Sequence, residues 1–513
     1  MQSHSARFVL GLLLICTATY ARAEITLPAV FSDHMVLQRD RSNPVWGRAE
    51  PGETVTVTLA NQNHTATANA EGEWRTELDP LPAGGPHTLS VSGTSGQRTF
   101  TDVLVGEVWI CSGQSNMFWP LAWIHFSELE IASAHQPQIR LLTVPECGTQ
   151  TPQFTFEGQW QVCSPQTVSQ FSALGYLFGK RLHDALQVPV GLINTSWGGA
   201  AIAGWVPREK FAVDDYHARQ LESWDARAAA TTDAKQQAAL AVYERELEQW
   251  KNSGSSGRPP RKPQDPRYSR DRPGNIFNGM LSPLRGYGIR GVIWYQGESN
   301  ISHAYHYRTS FPLMIECWRE AWGQGDFPFY WVQLPNHGPA TNEPTESEWA
   351  ELREAQSMAL RLPHTGQAIT IDTAEGRNLH PRNKQLVADR LVVLPLRRDY
   401  GIKVDADSPT YVSMDIRDGK IILTFDHVDL GLYAYDTEEP LGFAVAGEDG
   451  AYVRAQAEII SRNQIAVWSE SVPLPANVRY AWADNPVANI QDRNGLPLAP
   501  FRTDDHAAIT HHD

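Results

Sequence analysis

Six short stretches between residues 103 and 371 are apolar along all or nearly all of their length: VLV (103–105), VWIC (108–111), VGLI (190–193), VIWY (292–295), FYWV (329–332) and AITI (368–371), the last interrupted by Thr370. A strand with one wet face alternates polar and apolar residues, so a run apolar at every position needs cover on both faces. Helix candidates lie between and after these runs, near 172–186, 305–321, 349–361 and 382–397. Buried strands alternating with amphipathic helices predict a doubly wound α/β fold around a parallel sheet, over residues 102–399. At 513 residues the chain is too long for one ordinary core, and the flanks have a different texture. Residues 24–101 carry short alternating runs such as TVTVTL (54–59) separated by Pro-Gly and Gly-Gly turns, which predicts an N-terminal β-sandwich. Residues 400–505 again read as short strands, for example KIILTF (420–425), and form a C-terminal β module, leaving 506–513 as an unstructured tail.

Two stretches interrupt the α/β rhythm. Leu240, Tyr243, Leu247 and Trp250 recur at helical spacing among charges, so 208–252 reads as a helical insertion. Residues 253–275 follow as a linker rich in Gly, Ser, Pro and Arg. Its basic residues Arg258, Arg261, Lys262, Arg267, Arg270 and Arg272 could meet an anionic substrate, but a solvated loop is the simpler expectation.

Residues 1–23 combine Arg7, an apolar stretch from Phe8 to Ile15 and the small-residue pattern Ala21-Arg22-Ala23, which predicts a signal peptide cleaved near Ala23 and a secreted or periplasmic protein. The apolar stretch is well short of the ~20 residues that span a bilayer, and no later segment reads as a span. A net charge of −15 argues against nucleic acid as a partner. Export permits disulfides, and Cys147 with Cys163 is the pair to test; Cys111, inside an apolar run, reads as a small buried hydrophobe.

Four polar motifs each come after an apolar run: GQSN (113–116), SWGG (196–199), QGESN (296–300) and NLHP (378–381). In an open parallel sheet the carboxyl ends of the strands share one edge, where ligands bind, so distant motifs can converge. Together they supply the parts of a serine esterase. Ser115 is presented just beyond a strand, with Gly113 permitting a tight bend before it. His380, with Pro381 at a helix start, can serve as its base. Negative charge developing on an ester carbonyl oxygen needs preorganised donors, and the Ser115 N–H, the Gly199 N–H and the Gln296 amide are the candidates. Each has a bland alternative, such as a helix cap, a packed histidine, a glycine turn or a structural amide. Their joint occurrence points to catalysis. No HExxH, paired CxxC, Walker loop or GxGxxG with a distal acid occurs, so metal, nucleotide and dinucleotide chemistry have no motif and no cofactor is expected.

GQSNM, NTSWGGA, WYQGESN and NLHP resemble the blocks of SGNH (GDSL-type) hydrolases in the variant of the sialate O-acetylesterases. The resemblance extends to VFSDHMVLQRD near the start, FNGMLSPL at 277–284 and GLPLAPFRTD at 495–504. It implies Ser115 as nucleophile, His380 as base, and an oxyanion hole of the Ser115 N–H, the Gly199 N–H and the Gln296 amide. Two positions depart from the wider superfamily: Gln296 stands where an asparagine is common, and Arg377 replaces the acid usual three residues before the histidine. The third triad member is left open among Asp372, Glu375, a backbone carbonyl, or a Ser-His dyad. Glu298 is expected to brace the loop behind the site. The resemblance implies a secreted esterase removing O-acetyl groups from sugars, with O-acetylated sialic acids as the expected substrate. Acetylated xylan or pectin is the alternative. A non-catalytic glycan-binding protein, suggested by the flanking β modules and 17 Trp, is the rival of another class, and a peptidase using the same serine is a further one. A histidine base at its ordinary pKa of ~6.5 predicts activity that falls below that pH.

Overall fold

A computed structural model describes residues 24–511. The expected signal peptide lies outside the described residues. The central sheet runs Thr365–Ala368, Phe329–Val332, Gly291–Tyr295, Gly96–Gly113, Val190–Asn194, Gln136–Thr143 and Gln161–Cys163. All neighbours are parallel except the last pair.

The fully apolar runs behave as both-face burial requires. Along three adjacent strands alternate residues enter different cores: Val108, Ile110, Val292, Trp294, Phe329 and Trp331 join one cluster. Trp109, Cys111, Ile293, Tyr295, Tyr330 and Val332 join the other. Helices Ala304–Trp322 and Glu348–Met358 supply Phe311, Ile315, Trp318 and Leu352 to the first. Helices Ala173–Leu186 and Lys384–Arg398 supply Leu174, Phe178, Leu182, Val387 and Leu391 to the second. Each such side chain stabilises the fold by about 1.5–3 kcal/mol relative to exposure.

The runs expected at 103–105 and 108–111 are one strand, Gly96–Gly113. Its first half pairs with Gly84–Gly93 in the N-terminal sheet and its second half with Val190–Asn194 and Gly291–Tyr295. The strand expected at 368–371 is Thr365–Ala368 instead. Ile369 and Ile371 leave the sheet for a third core, formed with C-terminal strands that include Lys420–Asp426 and Gln464–Trp468. Apolarity marked burial there, but in a different core.

Residues 208–252 form helices Arg208–Phe211, Asp215–Ala229 and Asp233–Asn252, the last with no buried residue. The end of the chain is not an unstructured tail through His511. The Thr510 hydroxyl donates to buried Glu351 and accepts from the Tyr305 N–H at 2.9 Å, and the His511 ring lies 4.0 Å from that of Tyr305. Cys147 and Cys163 are both free thiols, so the pair considered for a disulfide is unbridged. Cys111 is fully buried, and burial pushes its thiol pKa up.

Candidate active site

The register of the central sheet explains why the motifs meet. Gly113, the last residue of Gly96–Gly113, is the partner of Tyr295 on one side, while Cys111 is the partner of Asn194 on the other. The chain that leaves the central strand into Ser115 is therefore flanked by SWGG and QGESN. Gly113 makes the exit possible. Its φ is +130°, and a Cβ there would lie 2.2 Å from the Tyr295 carbonyl oxygen, which already accepts the Gln114 N–H at 2.9 Å. Gly113→Ala is expected to destabilise the protein by about 3 kcal/mol. A lowered denaturant midpoint together with lost esterase activity would show it.

Ser115 opens the short helix Ser115–Phe118 and is half-buried. Its Oγ lies 2.8 Å from His380 Nε2. The imidazole stacks on Trp119, with ring centroids 4.1 Å apart and planes 16° from parallel. The backbone N–H of His380 donates to Asn378 Oδ1 at 3.0 Å. No carboxylate oxygen of a described residue lies within 4.0 Å of a His380 ring nitrogen. Both acids considered for that place are engaged elsewhere: Asp372 holds Arg390 through contacts of 2.5 and 2.7 Å, and Glu375 faces His125 at 3.4 Å. Arg377 is exposed.

One buried amide ties three motifs together. Asn116 Nδ2 donates to Glu298 Oε1 at 2.5 Å and to the Leu379 carbonyl at 3.1 Å, and its Oδ1 accepts from Lys384 Nζ at 2.7 Å. The residue after the nucleophile thus holds the residue before the histidine. Lys384 is fully buried, and burial lowers its pKa to about 7 despite the nearby Glu298. Burial pushes the Glu298 carboxyl up, opposed by Asn116 and Lys384. His380 is pulled down to about 4, first by burial and then by Coulombic repulsion from Lys384 and His337.

The oxyanion candidates divide into two kinds. The Ser115 and Gly199 N–H groups donate to no described residue. Gln296 is fully buried and its amide is engaged: Nε2 donates to the Ala200 carbonyl at 3.2 Å and to Asn300 Oδ1 at 2.8 Å, while Oε1 accepts from Tyr307 at 2.8 Å. Both of its amide hydrogens are therefore occupied. Asn300 in turn accepts the Ile202 N–H at 3.0 Å, so Gln296 and Asn300 brace the SWGG loop. Glu298 lies behind Ser115, joined to it through the neighbouring Asn116.

Reading the sequence left Asn116, Trp119 and Lys384 without roles. For Trp119 the spacing carried a signal, since it follows Ser115 by about one helical turn, whereas Lys384 opens its own helix beyond the non-helical segment 380–383. Size of cleft is no guide here. Clefts of about 230 Å³ beside Thr341, Tyr452 and Trp482 and about 650 Å³ beside Trp46, Arg75 and Trp322 contain no residue of the four motifs.

Residues 267–388 match the family described as carbohydrate esterase, sialic acid-specific acetylesterase, a span that holds Gln296, Glu298 and His380. The chain is 29% identical to a sialate O-acetylesterase of Mus musculus over 463 residues, covering 82% of each. It is 28% identical to that of Homo sapiens over 461 residues, 81% of this chain and 80% of the relative. The crystal structure of a carbohydrate acetylesterase from Xanthomonas citri superposes with a TM-score of 0.79 at 34% identity, covering 94% of this chain and 100% of that one.

Proposed function

Because the chain belongs to the sialate O-acetylesterase family of carbohydrate esterases and is a carboxylic ester hydrolase, we propose that it deacetylates sugars through a Ser115–His380 dyad on an SGNH-type sheet. The observation that carries this reading is the 2.8 Å separation of Ser115 Oγ and His380 Nε2. In a neutral imidazole whose Nε2 accepts the serine hydroxyl, Nδ1 carries the proton. Ser115 Oγ passes its proton to Nε2 as it bonds to the acetyl carbonyl carbon. The carbonyl oxygen becomes an oxyanion, which the Ser115 and Gly199 N–H groups are free to bind. As the tetrahedral species collapses, the C–O bond to the sugar breaks and the leaving oxygen takes the proton from His380. Water then attacks the acetyl-enzyme with His380 as base, releasing acetate and restoring Ser115. In this reading Gln296 supports the oxyanion loop rather than donating from it, because its hydrogens are already bonded. In place of a triad acid, the Trp119 stack orients the imidazole, while Asn378 and Asn116 hold the backbone of the loop that carries it.

The substrate proposed is an O-acetylated sialic acid, as the relatives' names suggest, met outside the cytoplasm after removal of residues 1–23. Among the described residues no helix is long and apolar enough to cross a membrane. Acetate release measured across O-acetylated sialic acids, acetylxylan and acetylated pectin tests the proposal. Release from the sialic acids is the expected result. Release from xylan or pectin alone would move the substrate, and release from none would overturn the function.

A further inference from the structure

The last part of the linker is more tightly bonded than its composition suggests. Asp271 Oδ1 accepts the Ala201 N–H at 2.8 Å, and Asn275 Nδ2 donates to the Ser269 and Arg267 carbonyls at 2.8 and 3.1 Å. Its arginines are mostly paired: Arg267 holds Asp265 and Asp233, and Arg272 holds Asp225. Arg270 differs. None of its nitrogens bonds to a described residue, no carboxylate oxygen of a described residue lies within 4.0 Å, and its Nε is buried. Glu146 and Asp271 feel its charge without touching it. A buried donor with no acceptor costs about 1–3 kcal/mol, so a rigid loop holding one has reason to meet an acceptor.

Its position says what that acceptor accompanies. A Cβ on Gly199 would lie 2.9 Å from Arg270 Nη2, and a Cβ on Gly198 would lie 3.8 Å from the Ser115 Cβ. Adjacent residues of one loop thus touch the guanidinium and the nucleophile. The protein carries a net charge of −15, and a free cation beside the reacting serine gives an anionic substrate a favourable point of attachment. The guanidinium fork matches a carboxylate in a bidentate pair.

We propose that Arg270 is the residue that binds the carboxylate of the substrate, so that it sets the preference for a free sugar acid over its ester. The assignment rests on the reading of Ser115 as nucleophile. Sialic acids and hexuronic acids share this chemistry, and the experiment separates them. Acetate release would be followed from O-acetylated N-acetylneuraminic acid and its methyl ester, and from O-acetylated galacturonic acid and its methyl ester. The wild-type protein is expected to favour the acid over the ester by about 10- to 100-fold in kcat/KM, mainly through KM, in the pair that matches its substrate. Arg270→Gln is expected to bring that ratio close to one, and Arg270→Lys to keep part of it. A wild-type ratio near one, or a ratio unchanged in Arg270→Gln, would overturn the assignment while leaving the esterase intact. Release from none of the four compounds would instead overturn the functional reading beneath it. Circular dichroism checks the fold of each variant, and if Arg270→Gln fails to fold, the wild-type ratio and Arg270→Lys decide.

Discussion

Ser115→Ala is expected to lower kcat/KM for a chromogenic acetate ester by on the order of 10⁴-fold or more, because no other group takes over the covalent step. The substitution removes one hydroxyl from a half-buried position, where its bond is to His380 Nε2. Its effect on folding should therefore be small, within about 1 kcal/mol. Stopped-assay kinetics alongside thermal unfolding separate the two effects. A folded variant that still turned over would eliminate Ser115 as nucleophile, and with it the acetyl-enzyme. A variant that was both inactive and unfolded would point to a structural role for the residue.

The second large effect concerns the base. His380→Ala should cost on the order of 10³-fold or more in kcat/KM, in line with what positioned general bases contribute. The pH profile is the more specific test. His380 accepts the serine proton only when neutral, so activity falls as pH drops through its pKa. An ordinary histidine predicts that fall near ~6.5. Burial, and then the charges of Lys384 and His337, lower the His380 pKa to about 4. Lys384, lowered to about 7, is itself protonated across the acidic range and keeps opposing a second positive charge beside it. The acidic limb of kcat/KM should therefore lie well below ~6.5 and near pH 4. A midpoint at ~6.5 would mean that His380 is more solvated than the structure indicates. With no carboxylate of a described residue at the imidazole, Glu375→Gln should change kcat by less than about tenfold. A loss as large as that of His380→Ala would make Glu375 a triad member and refute the dyad.

The motifs were readable because their physics is local. A glycine at the end of a buried strand, a serine two residues on and a histidine beside a helix start can each be recognised within a few positions. The alternation of apolar runs with amphipathic helices carried the sheet in the same way, since covered strands cannot afford polar residues. Errors arose where local apolarity was ambiguous about partners. Ile369 and Ile371 are as apolar as a sheet strand but pack into the C-terminal core, and Thr510 looks like tail but satisfies Glu351. Arg270 is one basic residue among several in the linker sequence, and only the distribution of carboxylates in the folded linker, which pairs Arg267 and Arg272 but not Arg270, sets it apart.

By itself the order of residues determined which chemical groups the protein can bring to an ester and on what kind of sheet they would stand. Tertiary structure alone decided which of those groups are free to act. Ser115 and His380 are separated by 265 positions and meet at 2.8 Å, while Gln296, a donor by type, has its hydrogens consumed by Ala200 and Asn300. The lowered pKa of His380 and the absent acid partner belong to the same class of fact. Hydrogen-bond satisfaction and desolvation depend on every neighbour in three dimensions, and a linear pattern does not contain them.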